Sequence, residues 1–132
     1  WAAGAMSGSG RTVISNLASL NLNTASTKNL RRVLRNEGTA TWTAGNLVFT
    51  GGTLENAGTF TADTTVEMSG YATGGLNVIT NLGTFTKKGT GTVRFFWNGS
   101  DLAFANSGTV DVQTGMLDLY PGGTHHGTFS IA

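Results

Sequence analysis

The sequence has no cysteine and a single proline in 132 residues. The lack of cysteine excludes disulfide staples and thiolate metal sites. It does not fix the compartment, because many exported bacterial proteins also lack cysteine. Charge is sparse as well: 11% of residues are charged and the formal net charge is +1. A nucleic-acid partner would need a dense basic surface, so none is expected. No apolar run approaches the ~20 residues of a membrane span, so no membrane insertion is expected. Disorder is disfavoured because 39% of the residues are apolar. The 20 glycines do not recur at every third position, which excludes collagen.

What the chain does contain is a repeat. Asn36-Glu37-Gly38-Thr39 returns as Asn56-Ala57-Gly58-Thr59, Asn81-Leu82-Gly83-Thr84 and Asn106-Ser107-Gly108-Thr109, at spacings of 20, 25 and 25. A weaker copy, His125-His126-Gly127-Thr128, follows, and Asn16 lies 20 residues before the first full copy. Apolar residues keep fixed offsets from the motif. Ile14, Leu34, Leu54, Ile79 and Phe104 lie two before it; Leu20, Ala40, Phe60, Phe85, Val110 and Phe129 lie four after. Six after it stand Leu22, Trp42, Ala62, Lys87, Val112 and Ile131. Steps of two are the period of strands buried on one side. A further strand per repeat is marked by Leu47 and Phe49, Val66 and Met68, Val93 and Phe95, and Leu117 and Leu119.

This pattern predicts an all-β parallel β-helix (β-solenoid) of about six coils of 20–25 residues, each strand pairing with its counterpart about 4.8 Å along the axis. Asn and Gly are read as corner residues entering the left-handed backbone region. The two longer coils are expected to carry loops near Met68–Gly75 and Phe96–Asp101. The chain opens on Trp1 without an initiator methionine or signal peptide, and Trp1-Ala2-Ala3-Gly4 matches Trp42-Thr43-Ala44-Gly45. Residues 1–132 therefore read as one solenoid domain cut from a longer repeat protein.

Several stretches carry a family resemblance. They are Trp1-Ala2-Ala3-Gly4, Met6-Ser7-Gly8-Ser9-Gly10, Thr27-Lys28-Asn29-Leu30, Arg32-Val33-Leu34 and Asn36-Glu37-Gly38-Thr39-Ala40-Thr41-Trp42, with Asn106-Ser107-Gly108-Thr109-Val110-Asp111-Val112-Gln113-Thr114-Gly115 later. The chain resembles the Gly/Thr/Asn-rich repeats of large bacterial secreted and surface proteins, namely autotransporter passengers and filamentous-haemagglutinin-like adhesins. The resemblance implies a right-handed β-helix and an extracellular or cell-surface setting. It supplies no catalytic residue, since the shared motifs are turn and core positions.

Three functional readings follow. The first is a non-catalytic stalk and adhesive segment that contacts glycans or cell-surface polymers; as an excised fragment with open ends it is expected either to cap them or to self-associate end to end. The second is carbohydrate binding through Trp97, Phe96, Tyr71 and Tyr120 with Arg31 and Lys28, the basic residues coming from the run Lys28, Arg31, Arg32, Arg35. Aromatic faces stack on sugar C–H faces. Core filling by the same aromatics, and a solvated basic face, are the plainer alternatives; the basic run also admits a helical break. Arg32 is the difficulty, since alternation from Leu34 points it inward. The third is ice binding through Thr39, Thr41, Thr59, Thr61, Thr84, Thr86, Thr109 and Thr128, an outward T-x-T array interrupted by Asn21 and Asp111. Here the plainer reading is that threonine simply suits a solvated strand.

Polysaccharide cleavage would need paired acids, but Asp63, Glu67, Asp101, Asp111 and Asp118 are scattered along the chain. His125-His126 would point to opposite faces of a strand, so neither a metal site nor a cofactor is expected.

Overall fold

The computed structural model describes residues 1–71, 75–98, 102–120 and 122–132, without the side chains of Trp97 and Asn98. The described chain contains strands and no helix. All strand pairs are parallel and form three sheets. Sheet I contains β1 (Gly4–Met6), β4 (Lys28–Leu30), β7 (Leu47–Phe49), β10 (Glu67–Tyr71), β13 (Thr92–Asn98) and β16 (Met116–Leu119). Sheet II contains β2 (Arg11–Ile14), β5 (Val33–Asn36), β8 (Thr53–Asn56), β11 (Asn77–Asn81) and β14 (Leu102–Asn106). Sheet III contains β3 (Ser19–Leu22), β6 (Thr39–Trp42), β9 (Thr59–Asp63), β12 (Thr84–Lys88), β15 (Thr109–Val112) and β17 (Thr128–Ile131). The chain is a β-solenoid that visits the sheets in the order I, II, III on each turn. Five turns have all three strands. The sixth replaces its middle strand with one bridge, Asn106 to His125, so the complete turns fall short of the six expected.

The offsets read from the motif are the inward columns. In sheet III, Leu20, Ala40, Phe60, Phe85 and Val110 stack in register and are buried. The neighbouring column is Leu22, Trp42, Ala62, Lys87 and Val112. Large and small residues alternate between the columns: Ala40 sits beside Trp42, and Phe60 beside Ala62. Two facing columns can fill a fixed width this way without voids. Phe60 and Phe85 stack at 5.4 Å, and Phe95 meets Phe104 edge-on at 5.3 Å. At the last turn, Phe129 and Ile131 occupy the same columns but are 41% and 76% exposed.

The corner between sheets II and III is built from the repeated motif. Asn36, Asn56, Asn81 and Asn106 are buried. Asn36 Nδ2 donates to Asn56 Oδ1, Asn56 Nδ2 to Asn81 and Asn81 Nδ2 to Asn106, each at 2.8 Å. The same amides donate to the carbonyls of Thr59, Thr84 and Thr109 at 2.9 Å. From Asn56 on, the two residues after each Asn donate their N–H groups to the Asn carbonyl one turn earlier, as Ala57 and Gly58 do to Asn36.

The motif glycine is needed for a reason other than the left-handed backbone. Among the described residues, positive φ occurs at Gly4, Gly8, Gly45, Gly51, Gly89 and Gly115, never at a motif glycine and at no other residue type. Instead, a Cβ on Gly58, Gly83, Gly108 or Gly127 would collide with the carbonyl oxygen of the glycine one turn below. The corners stack too closely to admit a side chain.

The first turn departs from the expected register. Ile14, not Asn16, lies opposite Asn36, and Thr12 lies opposite Leu34. Residues 15–18 form a wider turn closed by Ala18 N–H donating to the Ser15 carbonyl at 2.8 Å. Ser19 then rejoins the pattern opposite Thr39. With Ile14 in the asparagine position, the ladder ends there and Asn36 Oδ1 has no partner among the described residues. The run Asn29 to Arg35 is strand, turn and strand, so the helical option falls. Arg32 sits in that turn with its Nε donating to the Gly10 carbonyl at 2.9 Å, which removes the conflict over its direction. The longer coils take up their extra residues at the two corners of sheet I and leave the asparagine corner unchanged. Residues 72–74 and 99–101 of the expected loops lie outside the described residues.

Replacing Asn81 with alanine would strand the Thr109 carbonyl, Asn106 Oδ1 and one Asn56 N–H inside the corner. The expected loss is about 4 kcal/mol in urea denaturation, against under ~0.5 kcal/mol for the outward Thr80→Ala. Equal losses in the two variants would show that the ladder contributes nothing beyond ordinary strand pairing.

Candidate functional site

Two outer faces carry the residues singled out from the sequence. On sheet III, Ser19, Thr39, Thr59, Thr84, Thr109 and Thr128 form one row in register. Asn21, Thr41, Thr61, Thr86, Asp111 and Ser130 form the second. The rows lie about 7 Å apart along the strand and their members about 4.8 Å apart across it. Thr39, Thr59 and Thr128 are exposed, Thr41, Thr61, Thr84 and Thr109 are half-buried, and Thr86 is buried. The array is regular, but Asp111, held by Gln113 Nε2 at 2.7 Å, interrupts it. Lys87 does not join this face, because it occupies the inward column.

Sheet I gathers the aromatic and basic candidates. Alternation from the inward Leu30, Phe49 and Gly70 turns the next residues, Arg31, Thr50 and Tyr71, outward on successive turns. Beside them run Asn29, Val48, Ser69 and Phe96. Thr27, Asn29, Arg31, Val48, Thr50 and Tyr71 line a groove of about 420 Å³. Thr50 Oγ1 donates to Asn29 Oδ1 at 2.7 Å. Tyr71 is half-exposed, and its carbonyl accepts from Asn77 Nδ2 at 3.3 Å. Asn77 is buried and also accepts from the Gly51 N–H at 2.8 Å, which ties the end of β10 to the preceding turn. Further along the sheet, Phe96 and Tyr120 are exposed, with ring centroids 6.2 Å apart. Trp97 pairs through its backbone with Gly70, and its side chain lies outside the described residues.

Lys28 leaves the candidate set. It is fully buried, and its Nζ donates to the carbonyls of Thr24 at 2.5 Å, Ser26 at 2.9 Å and Ala44 at 3.0 Å. Lys87 does the same at that corner three turns further along, donating to the carbonyls of Lys88 and Gly89 and, at 3.4 Å, of Thr114. Burial lowers the pKa of both ammonium groups, and the converging carbonyls are what hold the charge inside. These lysines satisfy turn carbonyls that face inward between sheets III and I, and they do not reach the surface.

The expected basic patch is thus divided. Arg35 bridges Glu37 at 2.7 Å and Glu55 at 3.3 Å on sheet II, and Arg32 holds Gly10. Only Arg31 faces the groove, and it makes no ion pair among the described residues. The acids do not assemble either. Glu67 and Asp118 flank Arg94 at 3.6 and 3.0 Å, and Asp63 lies opposite Lys88 in a different row from Asp111. Asp101 lies outside the described residues. The sequence reading missed Thr27, Asn29, Val48 and Thr50, although the alternation from Leu30 and Phe49 was available to place most of them.

No family model, no curated protein and no solved structure matches this chain.

Proposed function

We propose that the chain is a non-catalytic structural and adhesive segment of a bacterial extracellular or cell-surface protein. It is a rod whose sheet I flank is offered to glycans or similar surface polymers. The observation carrying this reading is the in-register stacking of turn upon turn through the buried asparagine column. Such stacking makes a stiff rod in which each turn contacts only its neighbours. The resemblance to passenger and haemagglutinin-like repeats supplies the setting. Pulled from its two ends in a single-molecule trap, the rod is expected to yield in steps of about one coil. Smooth extension at the force of an unstructured linker would sink the structural reading.

End-to-end association belongs to the same proposal. The last turn leaves Phe129 and Ile131 open in columns that are buried elsewhere, beside the unpaired edge of β17. Light scattering should show mass rising with concentration, and a Phe129→Lys, Ile131→Lys double variant should stay monomeric. An unmodified chain that is monomeric at every concentration would remove this part of the proposal.

The threonine rows favour a second reading, ice binding on sheet III, because the T-x-T pairs of three consecutive turns (Thr39/Thr41, Thr59/Thr61, Thr84/Thr86) lie in register. It requires thermal hysteresis that disappears in Thr61→Tyr. A freezing point equal to the melting point in the unmodified chain rejects it.

A further inference from the structure

The sheet I groove is rich in hydrogen-bond donors. Arg31 contributes an exposed guanidinium with no ion pair among the described residues. Thr50 commits its hydroxyl proton to Asn29 Oδ1, which orients the amide with Nδ2 as its donor. Tyr71 adds a half-exposed ring and a phenol, and Val48 an apolar floor. No Asp or Glu is among the described residues that line the groove. A sugar hydroxyl donates as well as accepts, whereas a carboxylate is acceptor-only and matches the planar fork of arginine.

The spacing sets the size of the ligand. Arg31, Thr50 and Tyr71 lie on three successive turns, so Arg31 and Tyr71 are about 10 Å apart. A short chain running along the solenoid axis spans that backbone separation and contacts both side chains.

We infer that the groove of Thr27, Asn29, Arg31, Val48, Thr50 and Tyr71 binds an acidic polysaccharide through its uronate carboxylates. Arg31 takes the carboxylate, the Tyr71 ring covers the C–H face of a neighbouring sugar, and Asn29 and Thr50 bond the hydroxyls between them. This rests on the adhesive reading and narrows its ligand. Stiffness of the rod does not depend on it.

The test compares binding of a polyuronate with binding of the same polymer after its carboxyl groups are reduced to alcohols, by calorimetry on the whole chain at fixed salt. The polyuronate should bind at least about tenfold more tightly. Arg31→Ala should lose about tenfold or more toward the polyuronate and change little toward the reduced polymer, and Tyr71→Ala should weaken both. Arg31→Lys should recover part of the loss, as a point charge lacking the bidentate fork. Thr41→Ala on sheet III should bind as the unmodified chain does. Circular dichroism confirms that each variant keeps its strands. Equal affinity for the two polymers, an unchanged Arg31→Ala, or no polyuronate binding by the folded chain would overturn the inference. Step-wise unfolding of that same chain under load would leave the rod intact as a reading.

Discussion

Everything in this structure depends on the buried asparagine ladder at one corner. A parallel solenoid has to bring its backbone round a sharp bend at the same height on every turn, and the bend leaves polar groups facing inward. An asparagine at that position presents one acceptor and two donors. Here they go to the next asparagine, the previous one and a backbone carbonyl of the next turn. The amides form a continuous column in a low-dielectric interior, where a satisfied network holds firmly and a half-satisfied one is costly. The absence of a side chain on the motif glycine lets corner rest on corner, and the apolar columns then fall into register because their offsets from the bend are fixed.

The buried lysines solve a related problem less regularly. At the corner between sheets III and I, the turns differ in length and no one donor side chain recurs on every turn. Inward carbonyls are collected by whichever long donor is at hand: Lys28 in one place, Lys87 in another, and Trp42, whose Nε1 donates to the Gly45 carbonyl at 2.7 Å. A flexible four-carbon stem ending in three donors tolerates variable turn geometry. An asparagine ladder does not, and its corner is accordingly the one whose turn length stays constant from β5 onward.

Much of the fold was legible because its period is short and its alternation strict. The columns through Phe60, Phe85 and Val110 follow directly from counting away from the asparagines. The first turn was misread because Asn16 has the right residue type and spacing but lies in a wider turn, and only backbone pairing reveals Ile14 in its place. The glycine's role was misassigned because composition cannot separate a residue needed for its φ from one needed for lacking a Cβ. The candidate site was partly legible. Tyr71 was marked by its aromatic ring and Arg31 by the basic run, but the nearness of Asn29 to Thr50 arises between turns 21 residues apart. Lys28 looked like a surface cation because nothing local marks a lysine whose ammonium is enclosed by carbonyls from two turns.

The placement of the extra residues in the longer coils has a consequence for how such a protein diverges. Both insertions fall at the edges of sheet I, and neither changes the height gained per turn. From the second turn to the fifth, sheets II and III and their shared corner act as a constant spine, while sheet I bears the variable margin beside the groove. A lineage could therefore lengthen or reshape that margin and acquire a new surface chemistry without any strand losing its partner. In a repeat protein of this design, the surface of one flank is separable from the constraint that holds the architecture.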